Sequence, residues 1–102
     1  MYNKASFYSG RNMTMYAKKN NLDMNRIGIS ASRKVGNSVK RNRLKRLVRE
    51  TYREHESNLR RGYDIIVLLR HTEIMPQYVD IKKEMKYLAK KLDIYHREPV
   101  DV

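Results

Sequence analysis

The sequence predicts an α+β fold in which strands and helices enclose one core, and three observations support this. Two short segments alternate apolar and polar residues, as strands with one buried face do. Two longer segments repeat apolar residues three and four positions apart, as amphipathic helices do. A short apolar run lies between the helices. The predicted order is strand, strand, helix, strand, helix, with a further short strand before Met13. A chain of 102 residues suits one domain, residues 1–102.

The first two predicted strands form a hairpin around a turn from Lys18 to Asn25. In the segment from Asn12 to Ala17, Met13 and Met15 face the core. In the segment from Arg26 to Ser32, isoleucine and alanine alternate with polar residues. We expect the polar face to be open to a ligand. Its prominent members are Tyr16, Gly28, Ser30 and Ser32.

The first helix is predicted to begin at the N-cap Ser38, to run to about Leu59 and to stop before Gly62. Its apolar stripe follows helical spacing. The core positions of that stripe are Leu44, Leu47, Val48, Thr51, Tyr52, His55 and Leu59.

The second half of the chain contains one predicted strand and one predicted helix. The continuous apolar run from Tyr63 to Leu69 predicts a strand covered on both faces. Pro76 suits the first turn of the last helix, and the polar tail from Tyr95 onward predicts a frayed end. The core stripe of the last helix is Ile81, Met85, Leu88, Ala89 and Leu92.

The formal net charge is +12, from 23 Lys and Arg against 11 Asp and Glu. Such an excess indicates a polyanionic partner, with nucleic acid first and an anionic membrane surface second. The longest apolar run, Ile65 to Leu69, is far shorter than the ~20 residues that span a bilayer. The chain has no cysteine. We therefore expect a cytoplasmic protein without disulfides.

The cations of the first helix are segregated by sign. At ~100° per residue, most of them fall on an arc opposite or beside the apolar stripe, whereas Glu50 and Glu54 lie on a separate edge. A solvated helix more often mixes the signs as i,i+4 pairs. The arc therefore predicts phosphate binding, although the pattern alone leaves RNA and DNA both open.

Other chemistry finds little support in the sequence. Glu50, Glu54 and Glu56 are expected to be solvent-exposed charges, and His55 is expected to be a packed or hydrogen-bonded core histidine. Neither a metal-ligand spacing nor a nucleophile–base arrangement is evident.

The segment from Lys34 to Glu50 resembles the signature of the bacterial ribonuclease P protein component, whose helix carries R-N-R-x-K-R-x-x-R. The matching positions are Arg41, Asn42, Arg43, Lys45, Arg46 and Arg49. The run from Arg26 to Lys34 is similar to the family's preceding strand and loop, and Asp64 to Val67 to its late strand.

The resemblance implies the protein subunit of an endoribonuclease whose RNA subunit is catalytic. This enzyme removes the 5′ leader from precursor tRNA, and Mg²⁺ is held by the RNA and substrate rather than by a protein site. The implied partners are the catalytic RNA and precursor tRNA, without a membrane or a small-molecule substrate. Residues implied to bind the catalytic RNA are Arg33, Lys34, Arg41, Asn42, Arg43, Arg46 and Arg49. A leader cleft is expected at Tyr2, Tyr16, Asn42 and Lys45, to which the face pattern adds Ser30 and Ser32.

The implied fold is a ribosomal-protein-like two-layer α/β sandwich with a left-handed βαβ crossover. Family members usually begin with a further helix, which we expect to be missing or shortened because Tyr2 falls where it should end. A structural ribosomal or RNA-chaperone protein is the alternative, and a metal-dependent protein nuclease is a third.

Overall fold

The computed structural model describes residues 6–96, which form four strands and two helices. The strands are β1 (Ser6–Ser9), β2 (Met13–Lys19), β3 (Arg26–Ala31) and β4 (Tyr63–Leu69). The helices are α1 (Ser38–His55) and α2 (Tyr78–Lys91). Short 3-10 turns at Arg33–Val35 and Glu56–Asn58 flank α1.

The four strands form one mixed sheet in the order β1-β2-β4-β3. β1 pairs with β2 and β2 with β4 in antiparallel fashion, whereas β3 and β4 are parallel. The predicted hairpin of β2 with β3 is therefore wrong, because β4 lies between them and the hairpin partner of β2 is the short strand expected before Met13. Alternation shows which residues share a face, but it does not show which strand is the neighbour.

Both helices cover the same face of the sheet. α1 packs beside β3, and α2 packs beside β1 and β2. The buried residues of both helices join Met13, Met15, Ile65 and Val67 in one hydrophobic core. The two predicted helical stripes are confirmed, with Leu47 and Leu92 at the edge of that core.

The opposite face of the sheet carries no helix among residues 6–96. The prediction that β4 is covered on both faces is wrong, because the side chain of Ile66 is 46% exposed while Ile65 and Val67 are buried. An unbroken apolar run suggested two covering layers, but one of the two faces is open. This open face is a candidate binding surface.

The boundaries of the helices differ from the predicted ones. Asn37, rather than Ser38, is the N-cap of α1, and its side chain accepts a hydrogen bond from the Lys40 amide at 2.9 Å. α1 ends at His55, and Leu59 follows a 3-10 turn. Pro76 precedes the N-cap Gln77 of α2 instead of lying in its first turn.

Of the tail predicted to be frayed, only Tyr95 and His96 lie within the described residues, and the prediction is wrong for Tyr95, which is buried. Ile94 and Tyr95 are buried, and Tyr95 forms an isolated antiparallel bridge with Leu59. The bridge and the core side chains hold the segment after α2 against the end of α1.

α1 connects the neighbouring parallel strands β3 and β4, as the expected βαβ crossover requires. The left hand of that crossover stays an expectation from the resemblance. Within residues 6–96 the first element is the strand β1, and no helix precedes it.

Candidate nucleic-acid interface

The polar surface of α1 faces away from α2. The Thr51 hydroxyl lies 3.7 Å from the Met85 sulfur, Glu54 forms an ion pair with Lys82, and His55 contacts the Lys82 carbonyl. These contacts place α2 on one side of α1. Helical periodicity then turns the opposite side of α1 outward, beyond the β3 edge of the sheet. We call this side the α1 cation surface. It consists of Asn42, Lys45, Arg46, Arg49 and Arg53, which line a shallow groove together with Glu50.

The charges of the α1 cation surface are not neutralised within the described part of the chain. Its four cations form no salt bridge with a carboxylate of residues 6–96. Arg43, nearer to α2, is likewise exposed and without such a partner. Arg41 is partly buried, and its Nε atom has no hydrogen-bond partner among the described residues. Guanidinium groups left without carboxylate partners are suited to phosphate, which they bind through paired N–H donors.

The loop before α1 places two more cations near the start of this helix. Arg33 and Lys34 are exposed on the 3-10 turn, while Val35 between the loop and the core is buried. Gly36 follows with φ of 151°, and an added Cβ there would lie 2.6 Å from the Lys40 side chain. The buried valine and the glycine thus fix the direction in which the chain enters α1.

A row of apolar groups crosses the open face of the sheet. Strand register aligns Phe7 with Tyr16, Tyr16 with Ile66, and Ile66 with Gly28. The centroids of the Phe7 and Tyr16 rings are 5.2 Å apart, and Phe7 is 58% exposed. Nothing lies within 4 Å of a Cβ added at Gly28, so the end of the row is open. We call these four residues the aromatic row. Uncovered rings on a sheet suit the stacking of unpaired bases.

Polar groups flank the aromatic row on both sides. One neighbouring row contains hydroxyl groups, with Ser9 and Thr14 hydrogen-bonded at 2.9 Å and Ser30 exposed on β3. The other contains the ion pair of Arg26 and Asp64 at 2.7 Å. The hydrogen bond from Arg26, together with one from Asn20, lowers the pKa of Asp64 to about 2. The positive charge of Arg26 offsets part of the repulsion that the Asp64 carboxylate would exert on an approaching anion.

The leader-cleft residues predicted from the sequence fall on two layers of the molecule. Tyr16 and Ser30 lie on the open face, Ser32 is exposed just after β3, and Asn42 and Lys45 lie on α1. Because β3 is an edge strand and α1 packs beside it, the edge of β3 separates the two groups. Tyr2 lies outside the described residues.

Sequence reasoning missed two members of the aromatic row. Phe7 lies in a strand whose existence was expected but whose faces were not assigned, although it is the only phenylalanine in the chain. Ile66 was not predicted as a surface residue because the apolar run around it predicts a strand covered on both faces. The register of β1 with β2 identifies Phe7, and the single helical layer identifies Ile66.

Glu54 and Tyr78 take part in a polar contact between the two helices. The Glu54 carboxylate pairs with Lys82 at 2.9 Å and hydrogen bonds Tyr78, which raises the pKa of Tyr78 to about 12 and lowers that of Glu54. Glu54 is exposed, as the sequence predicts, and it also links α1 to α2. Tyr78, to which the sequence assigned no role, belongs to the same contact.

His55 is the hydrogen-bonded core histidine that the sequence predicts. Its Nε2 lies 3.1 Å from the Lys82 carbonyl and its Nδ1 lies 3.2 Å from the Tyr95 hydroxyl. A neutral ring that donates from Nε2 and accepts at Nδ1 satisfies both partners. Both ring nitrogens of His55 are thus occupied by protein groups.

Neither a metal centre nor a membrane span is found in the described range. Residues 6–96 contain no group of three or more histidine and carboxylate side chains placed to hold a metal ion. None of the helices in that range is both long and apolar enough to cross a bilayer.

The fold and the site define a class of protein: a small basic α+β protein with uncompensated cations on one helix beside an uncovered aromatic sheet face. Residues 1–93 match the family model described as Ribonuclease P. The chain belongs to the family of bacterial ribonuclease P protein components, the protein part of an endoribonuclease that processes tRNA. Membership implies an RNA subunit as partner.

Curated relatives agree along nearly the whole chain. The ribonuclease P protein component of Clostridium botulinum (strain Langeland) is 40% identical over 97 residues, covering 94% of this chain and 87% of the relative. That of Clostridium acetobutylicum is 43% identical over 93 residues, covering 89% and 78%.

Solved structures support the fold. The Staphylococcus aureus RNase P protein has a TM-score of 0.78 at 31% identity, covering 90% of this chain and 84% of that one. The Thermotoga maritima RNase P protein has a TM-score of 0.77 at 27% identity, covering 86% and 84%. The α+β architecture predicted from the sequence, a sheet with two helices, is thereby confirmed.

Proposed function

We propose that this protein assists a catalytic RNA in removing the 5′ leader from precursor tRNA, and that it does so by binding both RNAs. The observation that carries the proposal is the pairing of uncompensated cations on α1 with an open aromatic sheet face in a member of this family. One hydrophobic core joins the elements of residues 6–96, which supports treating residues 1–102 as one domain.

The proposed contact with the catalytic RNA is the α1 helix and the loop before it. Arginine is suited to this role because its planar donors grip phosphate oxygens in pairs. Arg41 is included from the resemblance, since its Nε atom is buried, without a hydrogen-bond partner among the described residues, and is not itself exposed to a phosphate. The proposed residues are Arg33, Lys34, Arg41, Asn42, Arg43, Arg46 and Arg49.

The proposed leader site begins on the aromatic row and passes over the β3 edge to α1. Unpaired bases would stack on Tyr16 and Phe7, since every base offers a π-face and stacking tolerates any leader sequence. Ser30 and Ser32 would supply hydroxyl groups along the edge, and Asn42 and Lys45 would contact the backbone. Tyr2 is proposed from the resemblance alone.

In the proposed reaction, Mg²⁺ is held by the RNA and the substrate rather than by the protein. Bound Mg²⁺ supplies an activated water and stabilises the leaving oxygen. The protein's cations reduce the repulsion between two polyanions, which otherwise requires additional metal ions to screen it. We therefore expect the protein to lower the Mg²⁺ concentration that the reaction needs.

This role is tested by cleavage of precursor tRNA at low Mg²⁺, with catalytic RNA alone, protein alone, and both together. We expect cleavage only when RNA is present, and stimulation by the protein that fades as Mg²⁺ rises. If the protein stimulated cleavage at none of the Mg²⁺ concentrations, the role would be refuted. Cleavage by protein alone would instead support a protein nuclease.

The aromatic row is tested with substitutions of Phe7 in β1 and Tyr16 in β2, and with a control in β1. Phe7 lies on the open face, whereas Tyr8 lies on the other face at 46% exposure, so Tyr8→Ala is a matched control. Phe7→Ala and Tyr16→Ala should each weaken holoenzyme binding of leader-bearing precursor by about 1–3 kcal/mol, as stacking losses do. Mature tRNA binding and the Tyr8→Ala variant should change little. Equal losses for precursor and mature tRNA would argue against a leader site.

A further inference from the structure

We propose that the outer face of α2 is a second RNA-binding surface, which takes unpaired RNA separately from the catalytic RNA and the leader. This α2 patch consists of Lys83, Tyr87, Lys90 and Lys91. In this arrangement a base stacks on the Tyr87 ring while the lysines contact the adjoining phosphates. The inference rests on the RNA-binding role proposed above and extends it to a surface that the family signature on α1 does not include.

Helical geometry places these residues on the solvent side of α2, with the Lys90 ammonium 5.9 Å from the Tyr95 ring centroid. Lys83, Tyr87 and Lys90 follow one another at spacings of four and three residues, opposite the buried Ile81 and Leu88. Tyr87 is 55% exposed, and the Lys91 ammonium lies 5.6 Å from its ring centroid. An exposed ring among cations is the combination that non-specific single-strand binders use.

The two carboxylates of α2 keep their charge, but neither forms an ion pair with a lysine of the patch, because their oxygens accept hydrogen bonds from backbone amides. Asp80 accepts a hydrogen bond from the Gln77 amide in the capping box. Glu84 accepts hydrogen bonds from the backbone amides of Asn12 and Met13 at 2.9 Å each. In the described part of the chain, none of the three lysines of the patch forms a salt bridge. Their charge is therefore available to a polyanion.

The α2 patch is separated from the α1 cation surface by the seam between the helices. In that seam Glu54 binds Lys82 and Tyr78, which gives a region of compensated charge between the two basic surfaces. α2 also lies over β1 and β2, whereas α1 lies beside the β3 edge. Occupation of the α1 cation surface and the aromatic row therefore leaves the α2 patch uncovered by those ligands.

RNA fits the patch better than an anionic membrane does. A helix that lies on a membrane buries its apolar face in the lipid. The apolar face of α2, with Ile81 and Met85, is already buried in the core of the protein. The exposed face offers a stacking ring and cations, which match a base and its phosphates.

The test measures binding of a short oligouridylate to the 102-residue protein at several salt concentrations. Replacing all three lysines of the patch by glutamine should lower the salt slope by about 2, since each phosphate contact on a single strand contributes about 0.7. Tyr87→Ala should weaken binding about five-fold or more. The matched controls keep the charge or the ring: the triple lysine-to-arginine variant and Tyr87→Phe should both bind like the parent.

The possible results distinguish RNA binding at the α2 patch from membrane binding and from the absence of a binding site. Unchanged affinity and salt slope in the glutamine variant, with an unaltered circular dichroism spectrum, would overturn it. So would a loss of binding to phosphatidylserine vesicles with oligouridylate binding intact, which would indicate a membrane surface. Cleavage of precursor tRNA by the assembled holoenzyme should be unchanged in the glutamine variant. If the parent protein failed to stimulate cleavage, the proposed function would fall while the oligouridylate result would still decide the α2 patch.

Discussion

His55 shows how a single side chain joins three segments of the fold. Its ring connects the end of α1 to the Lys82 carbonyl of α2 and to the Tyr95 hydroxyl after α2. Burial lowers the pKa of His55 below its usual value, and the nearby Lys82 and Lys86 add to this effect against the opposing backbone hydrogen bond and Glu54. The neutral ring is therefore the form that the folded protein stabilises.

This pKa shift predicts a loss of stability on mild acidification. Below the unfolded pKa of about 6.5, the unfolded chain takes up a proton that the folded state resists. The free energy of unfolding should therefore fall as the pH decreases from about 7 through 6.5, until the lower folded pKa is reached. Denaturant unfolding across this range measures the slope.

Two variants isolate the contribution of His55. His55→Gln should be less stable at neutral pH, yet its stability should vary less between pH 7 and 6 because it has no titrating ring. His71→Gln, at an exposed histidine, is the matched control for the loss of an imidazole. An equal slope in all three proteins would contradict the assignment. Asp64, with a pKa of about 2, does not titrate in this range.

At the scale of elements, α1 has a buried apolar stripe and an outward-facing cation surface. The packing of α1 against α2 determines this orientation. Arg46→Ala should weaken holoenzyme assembly and reduce the salt slope of catalytic-RNA binding by about 1, the loss of one phosphate contact. Arg46→Lys should preserve the salt slope while losing some affinity, because a lysine keeps the charge but not the paired donors. Filter binding over a series of salt concentrations distinguishes these effects, and an unchanged slope in Arg46→Ala would argue against phosphate contact.

The elements also show what a sequence can and cannot predict. The stripe of α1 was predictable because helical spacing determines which residues share a face, and Val48, Thr51 and His55 are indeed buried. The pairing of β2 was not predictable, since the alternation of apolar and polar residues does not show which strand lies next to it. Ile66 was misassigned for a related reason: covering layers are a tertiary property, and an apolar run does not reveal how many there are.

The candidate site was predictable to a similar extent. The segregated cations of α1 follow from angles along one helix, so the sequence alone indicated them. The aromatic row requires the register of three strand pairs, which brings Phe7 beside Tyr16 and Ile66 across from Gly28. The resemblance supplied Tyr16, but only the assembled sheet identified Phe7 as its neighbour.

At the scale of the whole molecule, the balance of charge is the dominant feature. The formal net charge of +12 is spread over a body whose Cα extents are 42 × 38 × 19 Å. Within the described residues only three salt bridges offset it, and at least one partner in each is substantially exposed. The folded state therefore retains net repulsion among its cations, which a bound polyanion or screening salt relieves.

Self-repulsion of this kind predicts that added salt stabilises the protein in the absence of RNA. Screening becomes effective as the Debye length shrinks from ~30 Å at 0.01 M to ~8 Å at 0.15 M ionic strength. A gain of about 1 kcal/mol over this range would raise Tm by roughly 4–8 °C for a chain of this size. The triple lysine-to-glutamine variant of the α2 patch carries three fewer charges and should show a smaller rise. Calorimetry in NaCl measures both, and a Tm that stayed flat or fell with salt would show that the cations are already compensated in the folded state.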